Sequence, residues 1–272
     1  FSGLEPSISI LVPAYNEEAT ITASVRSMFQ LTYSDFEVIV INDGSRDNTL
    51  EVLKQEFSLL PFPDAPRQGL ATKPIRCVYR SIPYPNLRVI DKENGGKADA
   101  LNAGINAARH PLFCGVDADS ILARDSLQRV VKPFLNDPDT VATGGTVRVA
   151  NGCEVTDGFL TKVGLPTNMW ALFQVVEYLR AFLFGRLGWS QINAMLIISG
   201  AFGLFKTKVV IDAGGYRNNT IGEDMELIVR IHRLLRQQGT TYRITFVPEP
   251  VCWTEAPEDR KTLKNQRIRW QR

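Results

Sequence analysis

The sequence predicts an α/β fold with a mostly parallel central sheet flanked by helices. Apolar, β-branched runs alternate with segments of helical periodicity. The runs are continuously apolar rather than alternating, as strands covered on both faces must be. Polar residues able to do chemistry gather directly after the runs, where a parallel sheet opens its ligand crevice.

The first strand is ISILV, residues 8–12. Asn16 is the expected N-cap of the following helix, with Glu17 and Glu18 in its first turn and Ile21, Val25, Met28 and Phe29 on its apolar face. FEVIVIND (36–43) repeats the pattern and leads into a helix bearing Leu50, Leu53 and Phe57. LRVID (87–91) is a third strand, joined through KENGGK to a helix with Leu101 and Ile105. LFCGV (112–116) is a fourth, followed by a helix with Leu127, Val130, Val131 and Phe134. Between the second and third units, residues 58–86 carry prolines at 61, 63, 66, 74, 83 and 85, which predicts a surface insertion with one short strand, IRCVY, and no catalytic duty. Beyond residue 140 the alternation weakens. VATGGTVRVAN reads as a strand pair or a bent strand, and a long helix follows over roughly 168–186. On that helix Gln174, Glu177 and Arg180 form a narrow polar stripe and Trp170, Phe173, Val176 and Phe182 belong to a broad apolar face. Core burial is the commoner destiny of such a face, and a membrane interface the other.

The chain has 272 residues, 44% hydrophobic and 22% charged, enough for one large domain. It is expected to be a single domain over 1–272 whose pattern changes near residue 140. A net charge of +2 argues against nucleic acid as a partner. Cys77, Cys114, Cys153 and Cys252 are scattered, which suits free thiols in a reducing compartment. No run reaches the ~18 apolar residues of a membrane span. The first residue is Phe rather than Met, so the sequence reads as a soluble piece of something longer.

Several motifs carry chemistry. Asp117 and Asp119 stand two apart where an apolar strand emerges, and so project to one side. Their mutual repulsion would be relieved by Mg²⁺ or Mn²⁺, hard cations that take few protein carboxylates and share a bound diphosphate. Solvated turn residues are the plainer reading of the same pair. NGGK (94–97) frees backbone amides beside Lys97 at a helix start, an arrangement suited to an anion. Glu223 and Asp224 open another helix, as simple capping residues or as a general base kept ionised by the helix dipole. Gln266, Arg269 and Trp270 share one helix face, which suits stacking on a sugar and pairing with phosphate. Neither GxGxxG nor GxxxxGK[ST] is present, so a Rossmann dinucleotide site and a P-loop are not supported.

Taken in order, VPAYNE (12–17), NDGS (42–45), NGGKADALN (94–102), DAD (117–119), SGAFG (199–203), GED (222–224) and QRIRW (266–270) resemble the catalytic domain of family 2 inverting glycosyltransferases with the GT-A fold. The likeness is to the processive membrane synthases of cellulose, chitin, hyaluronan and poly-N-acetylglucosamine. It implies transfer of a sugar, glucose or N-acetylglucosamine, from a UDP-sugar donor to a glycan acceptor with formation of a β-linkage, assisted by Mg²⁺ or Mn²⁺. It implies that Pro13, Ala14, Tyr15 and Glu17 border the nucleotide, that Asp43 bonds the uracil, and that Lys97 lies near the diphosphate. Asp117 and Asp119 become the metal pair, Asp224 the catalytic base and Glu223 its neighbour. Ser199, Gly200, Gln266, Arg269 and Trp270 become the acceptor and diphosphate side, so that residues 1–140, with the insertion 58–86, are implied to form a nucleotide-sugar-binding half and 141–272 an acceptor-binding half ending in the QxxRW helix. Tethering to the cytoplasmic face of the plasma membrane, through segments outside this sequence, is also implied. The alternative is a catalytically silent UDP-sugar-binding module of a membrane polysaccharide-export assembly. A nucleotidyltransferase would want a Gly-rich basic loop after strand one, and a glycoside hydrolase carboxylates ~5 Å or more apart. Two positions depart from the family pattern: Asn42 stands where aspartate is common, and Gly222 where the cellulose branch has threonine.

Overall fold

The computed structural model describes residues 5–64, 67, 69–156, 158–220 and 222–271, the side chains of 269–271 excepted. The N-terminal half builds β1 (Ile8–Ala14), α1 (Ile21–Met28), β2 (Phe36–Asp43), α2 (Thr49–Glu56), β3 (Leu59–Pro61), β4 (Ile75–Ser81), β5 (Leu87–Lys92), α3 (Lys97–Ala107), β6 (Leu112–Val116), β7 (Ile121–Leu122) and α4 (Ser126–Asn136). There follow β8 (Thr140–Val149), β9 (Glu154–Thr156), β10 (Phe159–Lys162), α5 (Met169–Leu179), a π-helical turn (Arg180–Arg186), α6 (Leu187–Gln191), β11 (Phe202–Lys206), α7 (Thr207–Asp212), α8 (Glu223–Gln237), β12 (Arg243–Thr254) and α9 (Arg260–Gln271).

One ten-stranded sheet runs in the order β3-β4-β5-β2-β1-β6-β11-β8-β12-β7. Its centre, β5-β2-β1-β6, is parallel; the β3-β4 flank is antiparallel and the β11-β8-β12-β7 flank is mixed. From β1 the chain builds outward to β2 and β5, then crosses back to add β6 on the other side. The carboxyl ends of β1 and β6 therefore flank the switch point, where open α/β sheets hold ligands. These strands are buried along their length, Ile10, Leu11, Val12, Ile39 and Ile41 among them, which accounts for their unbroken apolar character.

Four expectations are corrected. Asn16 is no N-cap: it adopts φ 58° and ties two loops, its Oδ1 accepting from Arg46 N (2.8 Å) and its own N donating to Ser45 Oγ (3.0 Å). The helix starts at Ile21 because Glu17–Thr20 form a turn first. The 58–86 insertion supplies two strands at one end of the sheet, β3 at the edge and β4 beside it, rather than one. Residues 140–149 make a single strand rather than a strand pair, because β8 pairs with β12 along its length and with β11 over Ala142–Gly144. The fourth correction concerns the helix at 169, whose apolar face is not core. Gln174 is 2% exposed and donates to Trp170 O (3.0 Å) and Pro257 O (2.8 Å), and Glu177 pairs with Arg267 of α9. Phe173, Val176, Phe184 and Trp189 instead stand 61%, 62%, 82% and 54% exposed. Of the polar stripe Gln174 is buried, because α5 lies on backbone carbonyls that need partners, while Glu177 and Arg180 stay exposed.

The loops that close over α3 are held by its own amides. Asn106 exchanges hydrogen bonds with the backbone of Leu70 (2.9 and 2.8 Å), and Asn102 with that of Tyr216 (2.7 and 2.8 Å). This buries α3 on all sides and fixes its N-terminus beside the crevice.

Candidate active site

The site is assembled from strand ends and two helix starts. Asp117 follows β6 directly, and its Oδ1 accepts a hydrogen bond from Lys97 Nζ, on the first residue of α3. Lys97 Nζ also donates to Gly200 O (3.3 Å), just before β11. A Cβ built on Gly200 would stand 3.2 Å from Lys97 Nζ and 3.9 Å from Asp224 Oδ2. Lys97, Asp117, Gly200 and Asp224, far apart in the chain, thus meet within a few ångströms. Ser199 caps the same turn, its Oγ accepting from Ala201 N (3.4 Å).

Asp224 and Glu223 open α8 after Gly222, whose φ of 87° is left-handed. That conformation is costly for a side chain with Cβ, which explains glycine in place of threonine. Asp224 Oδ1 accepts from Met225 N (2.8 Å). A pocket of about 150 Å³ lies between the two helix starts, lined by Gly96, Lys97, Arg217, Asn218, Thr220 and Glu223. Arg217, Asn218 and Thr220 escaped sequence reading: they sit in a polar loop whose only signal is its composition.

Asp43 is buried at the end of β2. Its Oδ1 accepts from Lys92 Nζ (2.7 Å) and Gly95 N (3.0 Å), and its Oδ2 from Gly96 N (2.7 Å). Lys92 is fully buried and also pairs with Asp99 (2.5 Å). Gly95 is required here, since a Cβ would fall 2.5 Å from Asp99 Cγ. Neighbouring Asn42 donates its amide to Asp91 Oδ1 (2.7 Å). An aspartate at 42 would instead meet a buried like charge, which accounts for this departure from the family pattern.

At the end of β1, Pro13 and Ala14 lead to an exposed Tyr15. Glu17 is partly buried, its N donating to Thr49 Oγ1 (2.8 Å). Burial first, then the charges of Asp119, Asp47 and Asp117, push the Glu17 carboxyl up. Burial and the adjacent Asp117 likewise raise that of Asp119. For Lys97, burial opposes the charge but Asp117, followed by Glu223 and Asp224, holds its ammonium above the ordinary range. The locus therefore carries more negative charge than Lys97 offsets, and the Asp119 carboxylate has the hard oxygens a divalent cation prefers. Asp117 and Asp119 supply oxygens of that kind at this locus; among the described residues no group of three or more acidic, His or Cys side chains could hold an ion. Gln266, on α9, has a shielded Oε1 with no hydrogen-bond partner among the described residues. The side chains of Arg269 and Trp270 lie outside the described residues.

The four cysteines are free, and among the described residues no helix is long and apolar enough to cross a membrane.

Poly-β-1,6-N-acetyl-D-glucosamine synthase of Staphylococcus aureus is 32% identical over 266 residues, covering 97% of this chain and 53% of that protein. The Staphylococcus epidermidis protein of the same name is 30% identical over the same length. The chain thus spans about half the length of the curated relatives it matches. The fold is that of a mannosyltransferase from Pyrobaculum calidifontis, solved with GDP-Man and Mn²⁺ (TM-score 0.68, 22% identity, covering 97% of this chain and 61% of that one). It is also that of S. aureus TarS 1–349 in complex with UDP-GlcNAc (TM-score 0.57, 18% identity, covering 93% and 59%). The chain has the expected GT-A fold. The family described as Glycosyl transferase family 2 matches residues 9–206, and the chain belongs to it.

Proposed function

We propose that this chain is an inverting hexosyltransferase that moves a sugar from a UDP-sugar to a hydroxyl of a glycan acceptor, forming a β-linkage. N-acetylglucosamine is the first candidate, because the staphylococcal relatives are poly-N-acetylglucosamine synthases and a structural neighbour was solved with UDP-GlcNAc. The observation that carries the reading is the convergence of Lys97, Asp117, the Gly200 carbonyl and Asp224 at the carboxyl edge of the parallel strands.

In this reading the nucleotide lies over Pro13, Ala14, Tyr15 and Glu17. Asp43 has three of its four acceptor positions filled, which leaves one on Oδ2 for the N3–H of uracil. Asp117 and Asp119 would hold Mg²⁺ or Mn²⁺, which when bound supplies Lewis-acid stabilisation of the departing UDP oxygen. Lys97 shifts part of its charge from Asp117 to the diphosphate, aided by Arg269. Asp224 takes the proton of the acceptor hydroxyl as its oxygen bonds to the anomeric carbon. The bond from that carbon to UDP breaks, and its electron pair leaves with the β-phosphate. Glu223 lines the donor pocket, while Ser199, Gly200, Gln266 and Trp270 border the acceptor.

The outward apolar face of α5, the π-helical turn and α6 supports a second element of the reading, attachment to a membrane. Inward polar and outward apolar residues suit a helix laid against the interfacial zone of a bilayer, here its cytoplasmic leaflet, where UDP-sugars are available.

Release of UDP from UDP-GlcNAc, UDP-glucose and UDP-galactose, with Mn²⁺ or after chelation, tests the proposal. Release that needs metal is expected, and Asp224→Asn should lose about 10²–10⁴ in rate while still binding UDP. Full rate in that variant removes Asp224 as the base. UDP binding without turnover in the unaltered protein identifies a silent binding module instead.

A further inference from the structure

Arg186 ends the π-helical turn and is used by nothing described so far. Its guanidinium lies over the Phe182 ring, 3.8 Å from the centroid. Its Nη1 is shielded from solvent and has no hydrogen-bond partner among the described residues. A shielded cationic donor left unpaired costs free energy, and a native fold that keeps one commonly does so for a ligand.

The surroundings say which ligand. Tyr178, Phe182 and Arg186 recur at intervals of four and form one row, with the Tyr178 and Phe182 rings stacked at 5.6 Å. Phe182 packs on Phe246 of β12 at 6.4 Å, so the row faces inward, away from the exposed Phe173 and Phe184. The π-helical winding, which is energetically poorer than α and concentrates at functional sites, spans the seven residues that carry the row to Arg186. Burial pulls the Arg186 guanidinium down to about 10, still charged at neutral pH, and the charges that oppose this are Asp224 and Tyr178. Lys97, by contrast, is governed by Asp117, Glu223 and Asp224. The row also adjoins the acceptor side of the proposed site, since Glu177, next to Tyr178, pairs with Arg267 of α9, the neighbour of Gln266.

We propose that Arg186 is an acceptor-binding residue, whose Nη1 donates to an oxygen of the acceptor saccharide beside the hydroxyl that Asp224 deprotonates, with Tyr178 and Phe182 walling the subsite. This rests on the reading of Asp224 as the base. The oxygen bound is neutral, so its recognition needs a donor at that point in space more than a charge.

Steady-state transfer from UDP-GlcNAc to a short β-1,6-linked N-acetylglucosamine oligosaccharide, with Mn²⁺, tests the assignment in Arg186→Met, Arg186→Gln and Arg186→Lys. R186M is expected to raise the acceptor KM about 10–100-fold with kcat within threefold and calorimetric UDP affinity unchanged. R186Q, which keeps a neutral donor, should fall between R186M and the unaltered protein. Should R186M fail to fold by thermal melting, R186K serves in its place, since a lysine ammonium does not reproduce the guanidinium fork. A loss of kcat at constant acceptor KM overturns the assignment, because Arg186 then acts only through the charge of Asp224. Weakened UDP binding also overturns it, placing Arg186 on the donor side. Unaltered protein that releases no UDP sinks the proposed function itself, whereas normal turnover with an unchanged acceptor KM in R186M sinks only this assignment.

Discussion

Replacing Lys92 with methionine removes one ammonium and leaves two buried carboxylates facing each other. Lys92 is fully buried and bonds Asp43 Oδ1 (2.7 Å), Asp99 Oδ1 (2.5 Å) and Glu93 O (2.5 Å). Methionine fills nearly the same volume, so the loss is electrostatic rather than a cavity term. Breaking a buried pair by deleting one partner costs about 3–5 kcal/mol. Here the orphaned acids keep other donors: Gly95 N and Gly96 N for Asp43, and Lys73 N (3.0 and 3.2 Å) with Asn218 Nδ2 (3.4 Å) for Asp99. These place the cost near the lower bound, about 3 kcal/mol. With a urea m-value of about 3 kcal/mol/M, the unfolding midpoint of Lys92→Met should fall by about 1 M. Adding Asp99→Asn removes one of the two uncompensated charges, so the double variant should be more stable than the sum of the single losses by at least ~1 kcal/mol. A Lys92→Met loss below about 1 kcal/mol, or strict additivity with Asp99→Asn, would refute the view that this triad holds the start of α3.

Asp119→Asn takes one of two neighbouring like charges out of the crevice. The metal-free protein should melt ~2 °C higher, and the stabilisation by Mn²⁺ seen in the unaltered protein should vanish, both by calorimetry. His232 on α8 is buried between Tyr242 OH (2.6 Å at Nδ1) and Met195 O (2.7 Å at Nε2). A carbonyl only accepts, so Nε2 carries the proton and Nδ1 accepts from the tyrosine. Burial, with the charge of Arg236, lowers the histidine pKa below its ordinary 6.5. The unfolded chain then binds the proton more readily, so this contribution is whole above pH 6.5 and is lost as the pH falls through the folded value. Urea midpoints at pH 7.5 and 5.0 should differ less in His232→Gln than in the unaltered protein. Phe184→Ser combined with Trp189→Ser should weaken binding to anionic phospholipid vesicles more than tenfold in a flotation assay, since each buried aromatic contributes about 1.5–3 kcal/mol.

Much of the α/β plan is legible in the sequence because its signals are local. LFCGV becomes β6 residue for residue, and the helix bearing Leu101 and Ile105 becomes α3, since strand and helix period decide both. The motif residues Lys97, Asp117 and Asp224 are readable for a related reason: each sits at the mouth of a strand or the start of a helix, positions that sequence marks well. Asn16 misled because an N-cap and a left-handed turn residue favour the same side chain, and only the partner loop at 45–46 chooses between them. The face of α5 misled because periodicity measures amphipathicity, not which side the protein covers. Gln174 turns inward only because Pro257 arrives there with a carbonyl to satisfy, while Glu177 meets Arg267 of α9 at the surface.

The sequence by itself determined the parallel strands, the order of the motifs and the chemical kinds of side chain near the crevice, all set by neighbours a few residues apart. The tertiary structure alone decided that Lys97 reaches Asp117 across twenty residues and Gly200 across more than a hundred, and that Lys92 lies sealed between Asp43 and Asp99. The reason is that pairing between distant charges and donors depends on how the elements dock, and docking is a property of the whole sheet and its loops rather than of any one segment.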